Sequence, residues 1–275
     1  MKQLKAGLQL YSIRQALSEN MDAALGRVKA MGYDYVEFSG GRYGKTAAET
    51  RTLLDQHALT CISVHQSPSF FQQDPRDAVD YVKTLGAKFC VIPVCRLPAY
   101  LEDREGLFSL FSQMADAFQQ AGISLLYHNH DHELTVLPGD DIALLDRIFR
   151  QVPGLAPEFD TCWLSYGGAD PVAYIDRYAD ALDILHLKDY RCDALPSKPV
   201  WQLLEEGLPK PEKRSQVGFQ YVPLGMGVEN WKRILSATEN SAASYVVVEQ
   251  DESRDRDPLE AAAISRKYLK DTFGI

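Results

Sequence analysis

The sequence predicts a (β/α)8 barrel, and three observations carry that prediction. Short apolar runs alternate with amphipathic stretches along nearly the whole chain, giving eight strand–helix units. The strand runs are continuously apolar, as in Phe89–Val94 (FCVIPV), which a parallel sheet covered on both faces requires. The doubly wound alternative lacks its glycine fingerprint, since Gly40-Gly41 and Gly167-Gly168 match no GxGxxG.

Taken in order, Gly7–Tyr11 (GLQLY) reads as a strand and Met21–Met31 as a helix that Gly32 ends. Tyr35–Phe38 is the second strand. Thr46–His57 follows as a helix, with Thr46 as N-cap and Glu49 three residues on, a capping box. Leu59–His65 (LTCISVH) is a strand, Asp77–Leu85 a helix stopped by Gly86, and Phe89–Val94 a strand. Asp103–Gln120 is a long amphipathic helix closed by Gly122. Ser124–Asn129 and Asp141–Arg150 form the fifth strand and helix. Pro157–Thr161 is a strand, and Pro171–Ala179 a helix capped by Asp170 with proline at its first position. Leu182–Leu187 and Tyr245–Gln250 are the last two strands, followed by helices over Glu229–Ala237 and Leu259–Leu269 respectively. Cys192–Val222, with four prolines and scattered charge, reads as a loop insertion with a short helix around Gln202–Glu206. One domain over residues 1–275 is expected.

Composition bounds the function. The chain has 275 residues, 45% hydrophobic, with 29 basic against 38 acidic side chains and a net charge of −9. Such a surface repels phosphate backbones, so nucleic-acid binding is not expected. No run approaches the ~20 apolar residues of a membrane span. The five cysteines, Cys61, Cys90, Cys95, Cys162 and Cys192, include no CxxC pair and read as reduced thiols. From Met1 the chain runs straight into polar residues such as Gln9 and Arg14, without a leader's apolar region. A cytoplasmic protein is expected, and a homo-oligomer stays open.

The chemistry-bearing residues gather at strand ends, where barrel enzymes place their catalytic groups. Of six histidines, all but His57 fall at or just past a strand end. Strand five ends in His128-Asn129-His130-Asp131-His132-Glu133, strand six in Glu158-Phe159-Asp160, strand seven in His186-Leu187-Lys188, and strand eight in Glu249. Residues two apart on a strand face the same way, so Glu158 and Asp160 both aim at the mouth, as do His128 and His130. Carboxylates so close would repel and take up protons unless a cation sits among them. Mixed oxygen and nitrogen donors suit Mn²⁺ foremost, with Co²⁺, Zn²⁺, Fe²⁺ or Mg²⁺ as alternatives, over Ca²⁺. Taken alone, a strand-end histidine is a hydrogen-bonded core residue and Glu158 or Glu249 half of an ion pair. The conjunction over four strands favours a metal site. Tyr11, Phe70 and Phe71 read as core or pocket wall, and Asp251–Asp257 as a solvated loop.

The chain resembles the sugar phosphate isomerase/epimerase group of the xylose-isomerase-like superfamily. The resemblance rests on Gly7–Ser12 (GLQLYS), Tyr127–Leu134 (YHNHDHEL), Phe159–Trp163 (FDTCW), Ala169-Asp170-Pro171, His186–Asp189 (HLKD) and Pro223–Gly227 (PLGMG). It implies one divalent metal held by Glu, Asp, His and Glu from strands five to eight. Asp160, His186 and Glu249 match the last three positions. At the first position His128 stands where epimerase-like members carry Glu, so the first ligand is His128 or Glu133, with Glu133 preferred because it completes the carboxylate set.

The activity implied is a metal-dependent carbohydrate isomerase or epimerase that removes a proton α to a carbonyl. The alternative is a lyase or dehydratase of a keto-sugar or keto-inositol, or an elimination from a 3-keto-glycoside. His128, His130, Glu249 and Lys188 are the expected catalytic residues. Gln9, Glu37, His65, Glu158 and Trp163 are the expected substrate binders, Trp163 as a sugar-stacking wall. A non-catalytic sugar-binding barrel and an endonuclease are the remaining readings, the last disfavoured by the charge.

Overall fold

The computed structural model describes residues 2–137, 139–193 and 218–275. The helix expected around Gln202–Glu206 lies outside the described residues. Eight parallel strands close in the order β1-β10-β7-β6-β5-β4-β3-β2. They are β1 (Lys5–Gln9), β2 (Tyr35–Phe38), β3 (Thr60–His65), β4 (Phe89–Ile92), β5 (Ser124–His128), β6 (Leu155–Asp160), β7 (Ile184–Leu187) and β10 (Tyr245–Val248). The remaining two, β8 (Asp189–Arg191) and β9 (Gln220–Val222), form an antiparallel ribbon at the base of the insertion, pairing Asp189 with Val222.

Strict alternation sorts the strand residues. Leu126, Ile184 and Val247 point inward with Val91 and make the dry plug of the barrel. Their neighbours Leu125, Tyr127, Leu185 and Val246 point outward into the larger core beneath the helices. Each such buried aliphatic side chain contributes roughly 1.5–3 kcal/mol. At the other end of the barrel from the strand C-termini, the Lys5 ammonium lies 5.6 Å from the Tyr35 ring and 5.4 Å from the Tyr245 ring, and this cation–π seat closes the floor.

Several boundaries differ from the sequence expectation, each for a local reason. The first strand stops at Gln9, whose side chain accepts from Tyr11 N–H and starts a 3-10 turn over Leu10–Ile13. The helix expected from Met21 begins at Arg14 and is broken at Asn20, where φ is −159° and ψ 94°. Asp74 caps the helix expected from Asp77 and starts it at Pro75, and a further short helix, Pro68–Gln73, precedes it. The helix after β5 starts at Leu144. The Thr46–Glu49 capping box is present, as is the Asp170 cap with Pro171. All five cysteines are free. Among the described residues, no helix is long and apolar enough to cross a membrane.

Candidate active site

The inward positions that follow the dry plug toward the strand C-termini are polar. The alternation that buries Leu126, Ile184 and Val247 places His128, His186 and Glu249 next on the same inner face. Register sets them side by side: His128 is level with Glu158, Asp160 with His186, and Gln9 with Glu37. On β3 an extra residue, Ile62, breaks the register against Val36 and Glu37. This bulge turns Ser63 and His65 inward, where plain alternation from Ile62 would send them out.

Two imidazoles divide this polar layer into two compartments. His186 Nε2 lies 2.7 Å from Glu37 Oε1 and 3.3 Å from Glu158 Oε2, while its Nδ1 lies 3.1 Å from Glu249 Oε2. His128 presents Nδ1 to Glu158 Oε2 at 3.4 Å and Nε2 to Asp160 Oδ2 at 3.8 Å. The inner compartment is thus Glu37, His65 and Glu158; His65 Nε2 joins both carboxylates, at 3.0 and 2.9 Å. The outer compartment is Asp160 and Glu249 with Lys188, whose Nζ lies 2.9 Å from a carboxylate oxygen of each and 3.1 Å from Asp251 Oδ1.

Burial penalises every charge here, and the neighbours decide which survive. Burial lowers the pKa of His65, but Glu37 and Glu158 outweigh it and carry the imidazole up to about 10. The same two carboxylates hold His186 well above its ordinary value against burial. Burial and the Glu37 charge push Glu158 up to about 7. Glu37 and Glu249 resist burial and lie low, Glu37 through His65 and His186, Glu249 through Lys188 and His186. Burial, His186, His130 and His65 push His128 well down, so it is a neutral imidazole with a lone pair to offer.

That donor set fits a divalent cation. His128, Asp160, His186 and Glu249 offer ligand atoms all within 4.8 Å of one another, as do His65, His128, Glu158 and His186. Asp160 Oδ2 on the outer side, and His128 Nδ1 and Glu158 Oε1 on the inner, are buried without a hydrogen bond of good geometry, a costly condition that a cation relieves. The outer group is the better candidate. It mixes two carboxylates with two imidazoles and includes Glu249, 7% exposed, whereas Glu158 is wholly buried and already paired to His65.

The structure does not bring Glu133 to either group. The 3-10 turn His132–Leu134 folds its carboxylate under the β5 loop. There it accepts from the Tyr127 hydroxyl at 2.7 Å and from His130 N–H at 2.7 Å. His128 occupies the place expected for Glu133. Gln9, Glu37 and Glu158, expected as substrate binders, have no exposure. Gln9 Nε2 donates to Glu37 at 2.6 Å and Ser63 Oγ donates to its other oxygen, so these groups brace the histidines. His65 is 6% exposed and belongs with them. Trp163 is fully buried, stacked at 5.8 Å under Phe219, so its face is not an open wall for a sugar. His130, half-buried, packs on Trp163 at 5.6 Å.

Two residues have roles that the sequence analysis does not assign them. Asp189, buried at the start of β8, accepts from the N–H groups of Gly225 and Gly227 and from Trp231 Nε1, tying the PLGMG turn to the barrel. A Cβ on Gly227 would meet Asp189 Oδ1 at 2.0 Å, so only glycine fits. Glu229 follows on that turn, with burial as the first cause pushing its pKa up to about 8 and the charges of Asp189 and Asp160 adding to it. Asp189 closes the HLKD run after the seventh strand, but that run does not show which turn it clamps, and no strand end marks Glu229.

The model of the xylose isomerase-like TIM barrel family matches residues 25–272. The chain belongs to that family. Among curated relatives it is 25% identical over 271 residues to an inosose dehydratase of Clostridium beijerinckii, covering 86% of this chain and 84% of that one. Among solved structures it superposes with a TM-score of 0.77 on a sugar phosphate isomerase/epimerase from Parabacteroides distasonis, at 21% identity, over 99% of this chain and 96% of that one. It also superposes, at TM-score 0.72 and 13% identity, on an IOLI protein with a bound zinc atom, over 98% and 97% of the two chains. These neighbours share the fold of this chain, and the second of them was solved with a bound zinc atom.

Proposed function

We propose that this xylose isomerase-like barrel is a metal-dependent carbohydrate lyase that dehydrates a keto-sugar or keto-inositol. The observation that carries the reading is the loss of a carboxylate. Proton exchange on both faces of a sugar needs two matched bases; Glu133 is spent on Tyr127 and His130, and Glu158 is wholly buried and paired to His65. An ammonium, Lys188, stands beside the remaining one, Glu249. With Glu249 among the ligands, one base, His130, and one acid, Lys188, suit elimination. The likeness to inosose dehydratases supports the same choice.

The ligands in this reading are His128, Asp160, His186 and Glu249. They would hold a divalent cation such as Mn²⁺ or Zn²⁺, whose Lewis acidity would polarise the substrate carbonyl and acidify the neighbouring C–H. The His130 imidazole at the rim takes that proton. The C–O bond at the next carbon then breaks, its electron pair leaves with the oxygen, and Lys188 supplies the proton that completes water. Glu37 holds His186 by Nε2 and so leaves Nδ1 for the outer compartment.

Isomerisation or epimerisation is the second reading, favoured by the likeness to the sugar phosphate isomerase/epimerase fold. It shares the first step. Proton NMR in D₂O with 2-keto-myo-inositol, together with mass spectrometry, separates the two. Loss of one water supports the lyase; deuterium uptake with the formula otherwise retained supports the isomerase. Neither, with a metal-loaded protein and a range of ketoses, removes both.

A further inference from the structure

We propose that Lys188 competes with the divalent cation for one seat, the space bounded by Asp160 Oδ2 and Glu249 Oε2, and thereby sets how tightly the centre holds its metal. The inference rests on the reading of Asp160 and Glu249 as ligands and goes beyond it.

The oxygens leave no second choice on Asp160. Its Oδ1 accepts from Trp163 N–H at 3.1 Å as the cap of the following helix, so Oδ2 is the oxygen left for a cation. That same Oδ2 lies 2.9 Å from Lys188 Nζ. On Glu249, Oε2 meets both His186 Nδ1 at 3.1 Å and Lys188 Nζ at 2.9 Å. The ammonium therefore points at the atoms on which the imidazole ligands converge. Lys188 is 1% exposed, so its charge is little screened.

An ammonium and a dication on the same two oxygens repel strongly in so dry a place, and one must yield. Lys188 has somewhere to go. Asp251 Oδ1 is a third oxygen within reach, 3.1 Å away, and the rings of Trp163 and Tyr221 lie 5.0 and 5.9 Å from Nζ. Asp251 thus receives the ammonium as the cation takes Asp160 and Glu249. Lys188 in this role is a positioning residue for the metal. Once drawn to Asp251 it still stands beside the substrate oxygen as proton donor.

Co²⁺ titration of the full chain, followed by visible absorption and chelator competition, tests this without any turnover. Lys188→Met and the more conservative Lys188→Gln should both tighten Co²⁺ binding at least about tenfold, because the competing charge is gone. Asp251→Asn should loosen binding at least about threefold in the wild-type background and have a smaller effect beside Lys188→Met, since the retreat matters only when the ammonium exists. Equal effects of Asp251→Asn in both backgrounds, or unchanged or weaker binding in both Lys188 variants, overturn the competition. If the wild type binds Co²⁺ and Asp160→Asn does not, the ligand reading stands whatever the Lys188 result. If neither the wild type nor any variant binds, the ligand reading itself fails.

Discussion

Glu37 Oε1 sits 2.7 Å from His186 Nε2, and this pair turns the other ring nitrogen toward Glu249. Carboxylate–imidazole pairs of this kind fix the tautomer and raise the basicity of a ligating histidine. Glu37→Gln should therefore leave the cation stoichiometry intact and weaken its affinity by about 10- to 100-fold. Elemental analysis and chelator competition measure both quantities. Unchanged affinity would show that Glu37 does not position the ligand.

Glu133 and Asp160 should behave as opposites. Glu133 is held by the Tyr127 hydroxyl and His130 N–H, away from the ligand groups. Glu133→Gln should cost about 1–3 kcal/mol of stability, the worth of buried hydrogen bonds to a charge, and leave Co²⁺ affinity within a few-fold. Asp160→Asn should abolish the rise in melting temperature on adding Co²⁺, which for the wild type corresponds to about 2.7 kcal/mol at a hundredfold excess over Kd. Loss of metal in Glu133→Gln would reinstate it as the first ligand.

Gly227→Ala should be strongly destabilising, since its Cβ would meet Asp189 Oδ1 at 2.0 Å and Tyr190 O at 2.4 Å. Asp189→Asn removes the charge that several N–H groups share. It should cost about 1.5–3 kcal/mol or more in urea denaturation. A neutral result for both would mean that the turn is held by something other than Asp189.

Glu229 should make stability pH-dependent. Burial pushes its carboxyl from 4.5 up to about 8 in the folded chain. A carboxyl raised on folding keeps a proton that the unfolded chain releases, so its contribution is present below pH 4.5 and is lost as pH rises through 8. Relative to wild type, Glu229→Gln should gain stability between those limits and hold the gain above them. Urea titrations at pH 5 and pH 9 measure it, and an unchanged difference between the two proteins would show that Glu229 is not raised.

Much of this was legible in the sequence because two periodicities coincide. Runs such as FCVIPV declare a strand covered on both faces, and the inward set of each strand continues to its end. Counting on from Leu126, Ile184 and Val247 arrives at His128, His186 and Glu249. What failed depends on departures from that count. The Ile62 bulge turns Ser63 inward. Glu133 is diverted by a 3-10 turn, and Trp163 is roofed by Phe219, distant in sequence and brought there by the β8–β9 ribbon. Contacts of this kind are tertiary and leave no local pattern.

The ribbon itself has a consequence for how such a barrel diversifies. Asp189 pairs with Val222 across it and clamps the turn beyond. Arg191 is paired with Gln220, so the two described ends that flank the insertion lie side by side. A change of length between those paired ends leaves the distance they span unchanged, and the eight staves keep their register.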